Sequence, residues 1–496
     1  MNLRKSICTL VLLASAAAMS RAQANSGETP PAAPGAALPS SEDEAAATSA
    51  DNPSGPDRKQ SQPSERHSFF LGGLHIDETA ETNSGPSTGS STQISSFTSA
   101  LGSLHLLSLK RRSETAIDYV GGADIYGASQ NISIQQLNAT QRILWRRGQL
   151  VFTDEFGDLP GGNFGSDWFG GAAAYNLGLA GMSANPPAPA DLSSFFGASN
   201  YTGRGITNAS TVGFAQTLTP RSSITATGGY GITDYSLYSA NSQNLINNHG
   251  IGAQASYNYQ LNRRNQIGFF YGYQDMQFAL AGAGNLETNQ VELIFSRQVS
   301  RRMDFELGAG PDFVKFSSQV NGPVDRTGGS ARAWFEIDPE FARFKRRASE
   351  SQNQIGFSGF ASLNYHLRKD SFALSYERLV TNGSGLFAGA NTDACQLSFT
   401  RPARQWSLGL DAGYVRLSEI GQLPGGIPGQ SYQYGFAGVA IQRQLGRYLS
   451  SIVGYQFSDQ SSGSSRCAVS AVCPWNGQTH ALSAGIHWFS RPRRLE

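Results

Sequence analysis

The sequence predicts an all-β chain that closes as an antiparallel transmembrane β-barrel of about 18 strands, with about 16 the neighbouring count. Three observations carry this expectation. Eight tight turns bearing arginine recur along the chain, at Lys110-Arg111-Arg112, Arg146-Arg147-Gly148, Pro220-Arg221-Ser222, Arg263-Arg264-Asn265, Arg301-Arg302-Met303, Arg368-Lys369-Asp370, Ala403-Arg404-Gln405 and Gly446-Arg447-Tyr448. The runs between them alternate apolar with small or polar residues, the period-two pattern of a strand with two unlike faces. Many runs reach about 10 to 14 residues, well beyond the usual 5 or 6 of globular sheets and enough to cross an outer membrane at a tilt.

Before the barrel come two other segments. Residues 1–24 read as a cleaved secretory signal, with Arg4 and Lys5 as the charged start, an apolar centre from Ile7 to Ala18, and Ala22-Gln23-Ala24 as a small-residue cleavage site. An apolar run of about 12 residues is too short to span a bilayer as a helix. Residues 25–66 are rich in Pro, Ser, Ala and acidic residues and carry almost no large apolar side chains. Such a segment cannot bury enough surface to offset its ordering entropy, so it reads as a disordered leader.

From residue 67 to 496 the pattern is that of strands. The cleanest case sets Ile251, Ala253, Ala255, Tyr257, Tyr259 and Leu261 against Gly252, Gln254, Ser256, Asn258 and Gln260. The next run sets Ile267, Phe269, Tyr271 and Tyr273 against Gly268, Gly272 and Gln274, with Phe270 as an exception. A soluble sheet would carry many Lys, Glu and Thr residues on its polar face, whereas this face is mostly Gly, Ser, Gln and Asn, as suits a crowded, hydrated lumen. Only 15% of residues are charged and glycine reaches 56. Tyr, Phe and Trp gather near strand ends, as interfacial girdles do.

With the arginine turns at the near side, the expected strands are approximately 68–80, 95–109, 114–127, 131–145, 149–156, 205–218, 222–236, 248–261 and 265–279. They continue at approximately 285–298, 302–316, 354–367, 371–381, 392–401, 405–417, 432–444, 447–460 and 478–489. An even count returns both termini to the periplasmic side.

This region resembles bacterial outer-membrane β-barrel, porin-like proteins. Its turns written Leu-Asn-Arg-Arg at 261–264 and Val-Ser-Arg-Arg at 299–302 also look like those of uncharacterised β-barrel porins associated with exopolysaccharide gene clusters. The resemblance implies an outer-membrane location and a channel for passive diffusion of small hydrophilic solutes. An accessory barrel for exopolysaccharide export is the alternative. Implied partners are outer-membrane lipid and lipopolysaccharide, the solutes, and the barrel-assembly machinery. The aromatic belts suit monomers and homo-oligomers alike. A TonB-dependent receptor is disfavoured because a leader of about 42 residues is short for a folded plug. One departure stands out: Trp488 and Phe489 are followed by Ser-Arg-Pro-Arg-Arg-Leu-Glu, whereas members of the class commonly end on an aromatic residue.

The alternation assigns lumen-lining charges to Asp118, Asp124, Glu292, Glu306, Asp312, Glu377 and Asp411, with Arg142 opposing them. Excess carboxylate would favour cations, unless lumenal water or loop arginines screen it. In general porins the loop after the fifth strand folds inward. The segment 157–204 has that ordinal position, so Glu155, Asp158, Asp167 and Trp168 are candidates for a constriction, or else for a surface flap. A second long connection, 317–353, mixes Arg326, Arg332, Arg343, Lys345, Arg346 and Arg347 with acidic residues that include Glu336, Asp338 and Glu340, and reads as a solvated loop or a contact for lipopolysaccharide phosphate.

Other functions find little support. Cys467 and Cys473 in a polar loop of an exported chain suit a small disulfide-closed loop, and they lack the four ligands of a tetrahedral zinc site. Ser483 and His487, four apart on one strand, lie about 13 Å from each other along the backbone, too far for a nucleophile and its base. No metal-binding His pair, nucleophile elbow or phosphate loop accompanies them, so neither a cofactor nor an enzyme is expected. Removing Arg4, Lys5 and Arg21 with the signal takes the formal charge from +1 to about −2, which gives no general attraction for nucleic acid.

Overall fold

The computed structural model describes residues 68–82, 94–126, 130–159, 205–234, 246–279, 284–318, 350–381, 388–420, 431–462 and 477–494. The expected signal, the leader, Asp167, Trp168, Cys467 and Cys473 lie outside these residues.

Eighteen antiparallel strands form one closed sheet. They are β1 (Phe69–Thr82), β2 (Ile94–Lys110), β3 (Ser113–Tyr126), β4 (Gln130–Trp145), β5 (Gly148–Leu159), β6 (Gly205–Thr219), β7 (Ser222–Asp234), β8 (Asn248–Gln260) and β9 (Asn265–Phe278). There follow β10 (Asn285–Ser300), β11 (Met303–Ser318), β12 (Glu350–His366), β13 (Ser371–Thr381), β14 (Ala390–Pro402), β15 (Trp406–Glu419), β16 (Ser431–Gln444), β17 (Leu449–Ser462) and β18 (Gly477–Phe489). Each strand pairs with its sequence neighbours, and β1 closes the sheet on β18 with His75 opposite His487 and Asp77 opposite Gly485. A stub, β19 (Arg493–Arg494), extends that seam by pairing with Phe69 and Phe70. Strand lengths run from 11 to 17 residues. The described residues contain no helix.

The arginine turns gather at one end of the barrel, and their recurrence has a local cause. In the 261–264 turn, Asn262 Oδ1 accepts the backbone N–H groups of Arg264 and Asn265, both at 2.9 Å. Ser300 Oγ accepts Arg302 N–H at 3.1 Å, and Thr219 Oγ1 accepts Arg221 N–H at 3.2 Å. The Asn, Ser or Thr therefore supplies the acceptor that a tight turn needs. The carbonyls of Arg112, Arg221, Arg264 and Arg302 accept N–H groups from the neighbouring hairpin, which knits that end into a continuous rim. The guanidinium groups themselves point into solvent.

Burial is inverted relative to a soluble barrel. Leu293 is 70% exposed and Ile355 75%, while Glu292, adjacent to Leu293, is 0% exposed. The outward alternation of Leu74, Ile76, Ile251, Phe357, Leu482 and Ile486 is likewise exposed. Trp145, Trp406 and Trp488 lie on this outward face near the turn end, whereas Tyr271, Tyr376 and Tyr455 lie on it near mid-strand and Tyr230 nearer the loop end.

The apolar cores lie inside the wall toward the loop end. Met276, Phe278, Leu286, Val314 and Phe316 of β9–β11 pack with Ile246, Val380, Ala388 and Ile420. Gly389, at a φ of 94°, lets the chain turn there, and a Cβ at this position would come within 2.7 Å of Leu286. A second cluster joins Ala390, Leu417, Tyr432 and Tyr434 of β14–β16.

Candidate functional site: the inner wall

Cross-strand register identifies which side chains share the inner face. Starting from the buried Asp77, Asp124, Glu292 and Asp411, the pairings run from strand to strand through Ser99, Gln290, Asp312 and Gly438 without a break in phase. Asp118, Asp124 and Arg142 fall on this face, as do Glu292, Glu306, Asp312, Glu377 and Asp411. Phe270 belongs to it too: its ring is buried against Ile294 and Phe360, so the apparent break in the β9 alternation is an aromatic residue inside the wall.

The inward carboxylates form three groups. On β10 and β11, Gln290 Nε2 donates to Glu292 Oε1 at 2.6 Å, while Glu292 Oε2, Asp312 Oδ1 and Glu306 Oε1 are buried with no hydrogen-bond partner. On β3 and β4, Arg142 lies 3.3 Å from Glu114 and pairs with it, and Asp124 accepts a hydrogen bond from Ser99. On β15, Asp411 accepts Gln396 Nε2 at 3.3 Å. Within the eighteen strands Arg142 is the one arginine on the inner face, because Arg297, Lys315, Arg378, Arg401, Arg416 and Arg443 alternate outward.

The seam adds a cluster that no local sequence pattern announces. His487 Nε2 stands 3.2 Å from Asp77 Oδ1, and the rings of His75 and His487 meet at 4.3 Å with a 62° interplanar angle. His75 Nε2 is 3.2 Å from Ser103 Oγ, and His105 pairs with Asp118. Gly485 leaves the space through which the Asp77 carboxylate reaches the seam. This brings a serine within reach of an imidazole, which the Ser483 and His487 spacing could not. It does not make a catalytic triad. A triad needs the carboxylate and the nucleophile on the two nitrogens of one ring, and here Asp77 engages His487 while Ser103 engages His75.

The constriction candidates separate. Glu155 lies on the inner face opposite Asn138, whereas Asp158 falls in the outward phase of Phe152 and Phe156. The expectation that both stand together is corrected: β5 continues to Leu159, and residues an odd number apart on one strand point to opposite faces.

No family model matches the chain, and no curated protein matches it. Among solved structures it is similar to OccAB3 from Acinetobacter baumannii, at 9% identity over 85% of this chain and 99% of that one, with a TM-score of 0.39. The outer membrane protein opdK from Pseudomonas aeruginosa gives 10% identity over 85% and 98%, with a TM-score of 0.37. The ferric-catecholate import receptor Fiu from Escherichia coli gives 10% identity over 84% and 81%, with a TM-score of 0.36. The chain is a closed 18-stranded antiparallel β-barrel with outer-membrane porins and import receptors among its structural neighbours.

Proposed function

We propose that the protein is an outer-membrane channel that passes small hydrophilic solutes by diffusion and favours cations. The observation that carries this is the two-faced wall, with an exposed apolar outer face and an inner face whose carboxylates outnumber its single arginine. Apolar residues facing outward suit hydrocarbon, and a low-dielectric wall bearing fixed negative charge draws cations into an aqueous lumen. Export through a cleaved signal at residues 1–24 and a disulfide between Cys467 and Cys473 belong to the same proposal. So do the lipid, lipopolysaccharide and assembly-machinery contacts.

The export-accessory reading loses its distinguishing feature. The Leu-Asn-Arg-Arg turn follows from capping by Asn262, which any tight hairpin could use. Swelling of proteoliposomes in isotonic sugars and amino acids tests the diffusion reading: swelling that slows with solute size supports it. Swelling no faster than in protein-free vesicles overturns it.

A further inference from the structure

Strand β11 carries a proline at its middle, with a strand on either side, where a sheet least tolerates one. Pro311 has no N–H to give, and the β10–β11 ladder breaks there. Pairing holds at Gln290 with Asp312 and resumes at Leu293 with Ala309, so Val291 and Glu292 stand outside the ladder, opposite Pro311 and Gly310. The Val291 carbonyl is turned against Gly310, so close that a Cβ at this glycine would collide with its oxygen. Gly310 shares the inward phase of Gly308 and Asp312, and the oxygen therefore lies on the inner side of the sheet.

Two carboxylates converge on the same break. Glu292 faces Gly310, and Asp312 stands two residues further along β11, a diagonal that long side chains span. Glu292 is 0% exposed and Asp312 4%, and the two charges are close enough to repel. Gln290 satisfies Glu292 Oε1, but Glu292 Oε2 and Asp312 Oδ1 have no hydrogen-bond partner. Arg142 does not relieve them, because it lies on β4 and is paired with Glu114. Ser358 of β12, also fully buried, faces Gly310 and donates to its carbonyl at 3.4 Å, which brings another oxygen to the break. Buried charge of one sign with no partner is costly unless a cation or a proton accompanies it.

We propose that a hard divalent cation, calcium in preference to magnesium, binds in this break through Glu292 Oε2, Asp312 Oδ1 and the Val291 carbonyl. Two carboxylates match its charge, and every donor is oxygen, as such cations require. Neither β10 nor β11 carries a Cys or His that would suit a softer metal. A donor set built from a strand irregularity suits the flexible coordination of calcium better than the near-ideal octahedron of magnesium. Bound there, the cation bridges β10 and β11 where a ladder hydrogen bond is missing, and it does so whether or not solutes pass through the lumen.

The test uses the full chain refolded in detergent micelles without lipopolysaccharide, which binds calcium itself, and stripped with a chelator at neutral pH. Calorimetric titration with calcium chloride should show one strong site per chain, with magnesium chloride at least tenfold weaker. Glu292→Gln and Asp312→Asn should each weaken calcium binding at least tenfold. Asp411→Asn, which removes a buried inner carboxylate that already has a donor, should leave it unchanged. Calcium should also raise the temperature at which heat-modifiable migration of the wild type is lost, and should not raise it for Glu292→Gln. Because Glu292→Gln removes an unpartnered charge, its calcium-free barrel should be at least as stable as the wild type, which separates loss of the site from loss of the fold. No calcium uptake at millimolar concentration, as when the two carboxyl groups share a proton instead, overturns the site. So does calcium binding as tight in Glu292→Gln and Asp312→Asn as in the wild type, or magnesium binding as tight as calcium. Calcium bound as expected by a barrel that passes no solute supports the site and overturns only the diffusion reading.

Discussion

Leu293→Arg separates a lipid-facing belt from a water-facing one. Leu293 is 70% exposed, and it stands between Phe269 of β9 and Ala309 of β11 on the outward face. If water bathed that face, the substitution would cost little, because about a third of a leucine's burial is worth roughly 0.5–1 kcal/mol and a long basic side chain recovers part of it. If hydrocarbon bathes it, an arginine far from both interfaces costs about 2–4 kcal/mol. Leu293 lies seven residues from the end of β10 at the turn rim, about 18 Å of vertical rise, which places it in the band. The two cases differ by a factor of roughly 10 or more in the folding equilibrium constant. Urea unfolding of the barrel from lipid vesicles, followed by tryptophan fluorescence, reads it directly. A loss under about 0.5 kcal/mol for Leu293→Arg would refute the lipid-facing assignment, since surface substitutions generally fall within that limit.

Asn262→Ala removes the acceptor for two backbone N–H groups in a turn and should cost about 1 kcal/mol in the same assay, with Asn262→Asp retaining most of the stability. Met276→Ala and Leu286→Ala each open the apolar cluster at the loop end; each should lower stability by about 2–5 kcal/mol, and the double variant should raise single-channel conductance if that cluster narrows the lumen. Gly485→Ala places a methyl group where the Asp77 carboxylate lies, so the β1–β18 seam should weaken by about 1–3 kcal/mol, seen as loss of heat-modifiable migration at lower temperature.

Strand grammar was legible because each strand carries its own two-faced pattern and each near-side turn carries its own chemistry. The expected spans fall within a few residues of the observed ones for nearly every strand, and β1 and β2, on which the count of about 18 over about 16 depended, pair along 14 positions. Phase was legible too where a strand's end was correctly placed. Asp158 was missed because β5 was expected to stop near residue 156; with the strand running to Leu159, its odd separation from Glu155 puts it on the other face.

Contacts across the closure were not legible. His487 and Asp77 are 410 positions apart, and only the pairing of the last strand with the first brings them to 3.2 Å. The loop-end cluster is similar, since Ile246, Ala388 and Ile420 sit at strand ends where period two no longer applies.

The most direct test of the channel is the reversal potential of the purified barrel in a planar bilayer under a tenfold potassium chloride gradient. The carboxylate-lined inner wall predicts open-channel current that reverses at a potential of cation-selective sign, between zero and the limit of about 59 mV for a monovalent ion. Neutralising Glu155, Glu377 and Asp411 together should move that value toward zero. A silent bilayer, or a reversal of anion-selective sign, would contradict it.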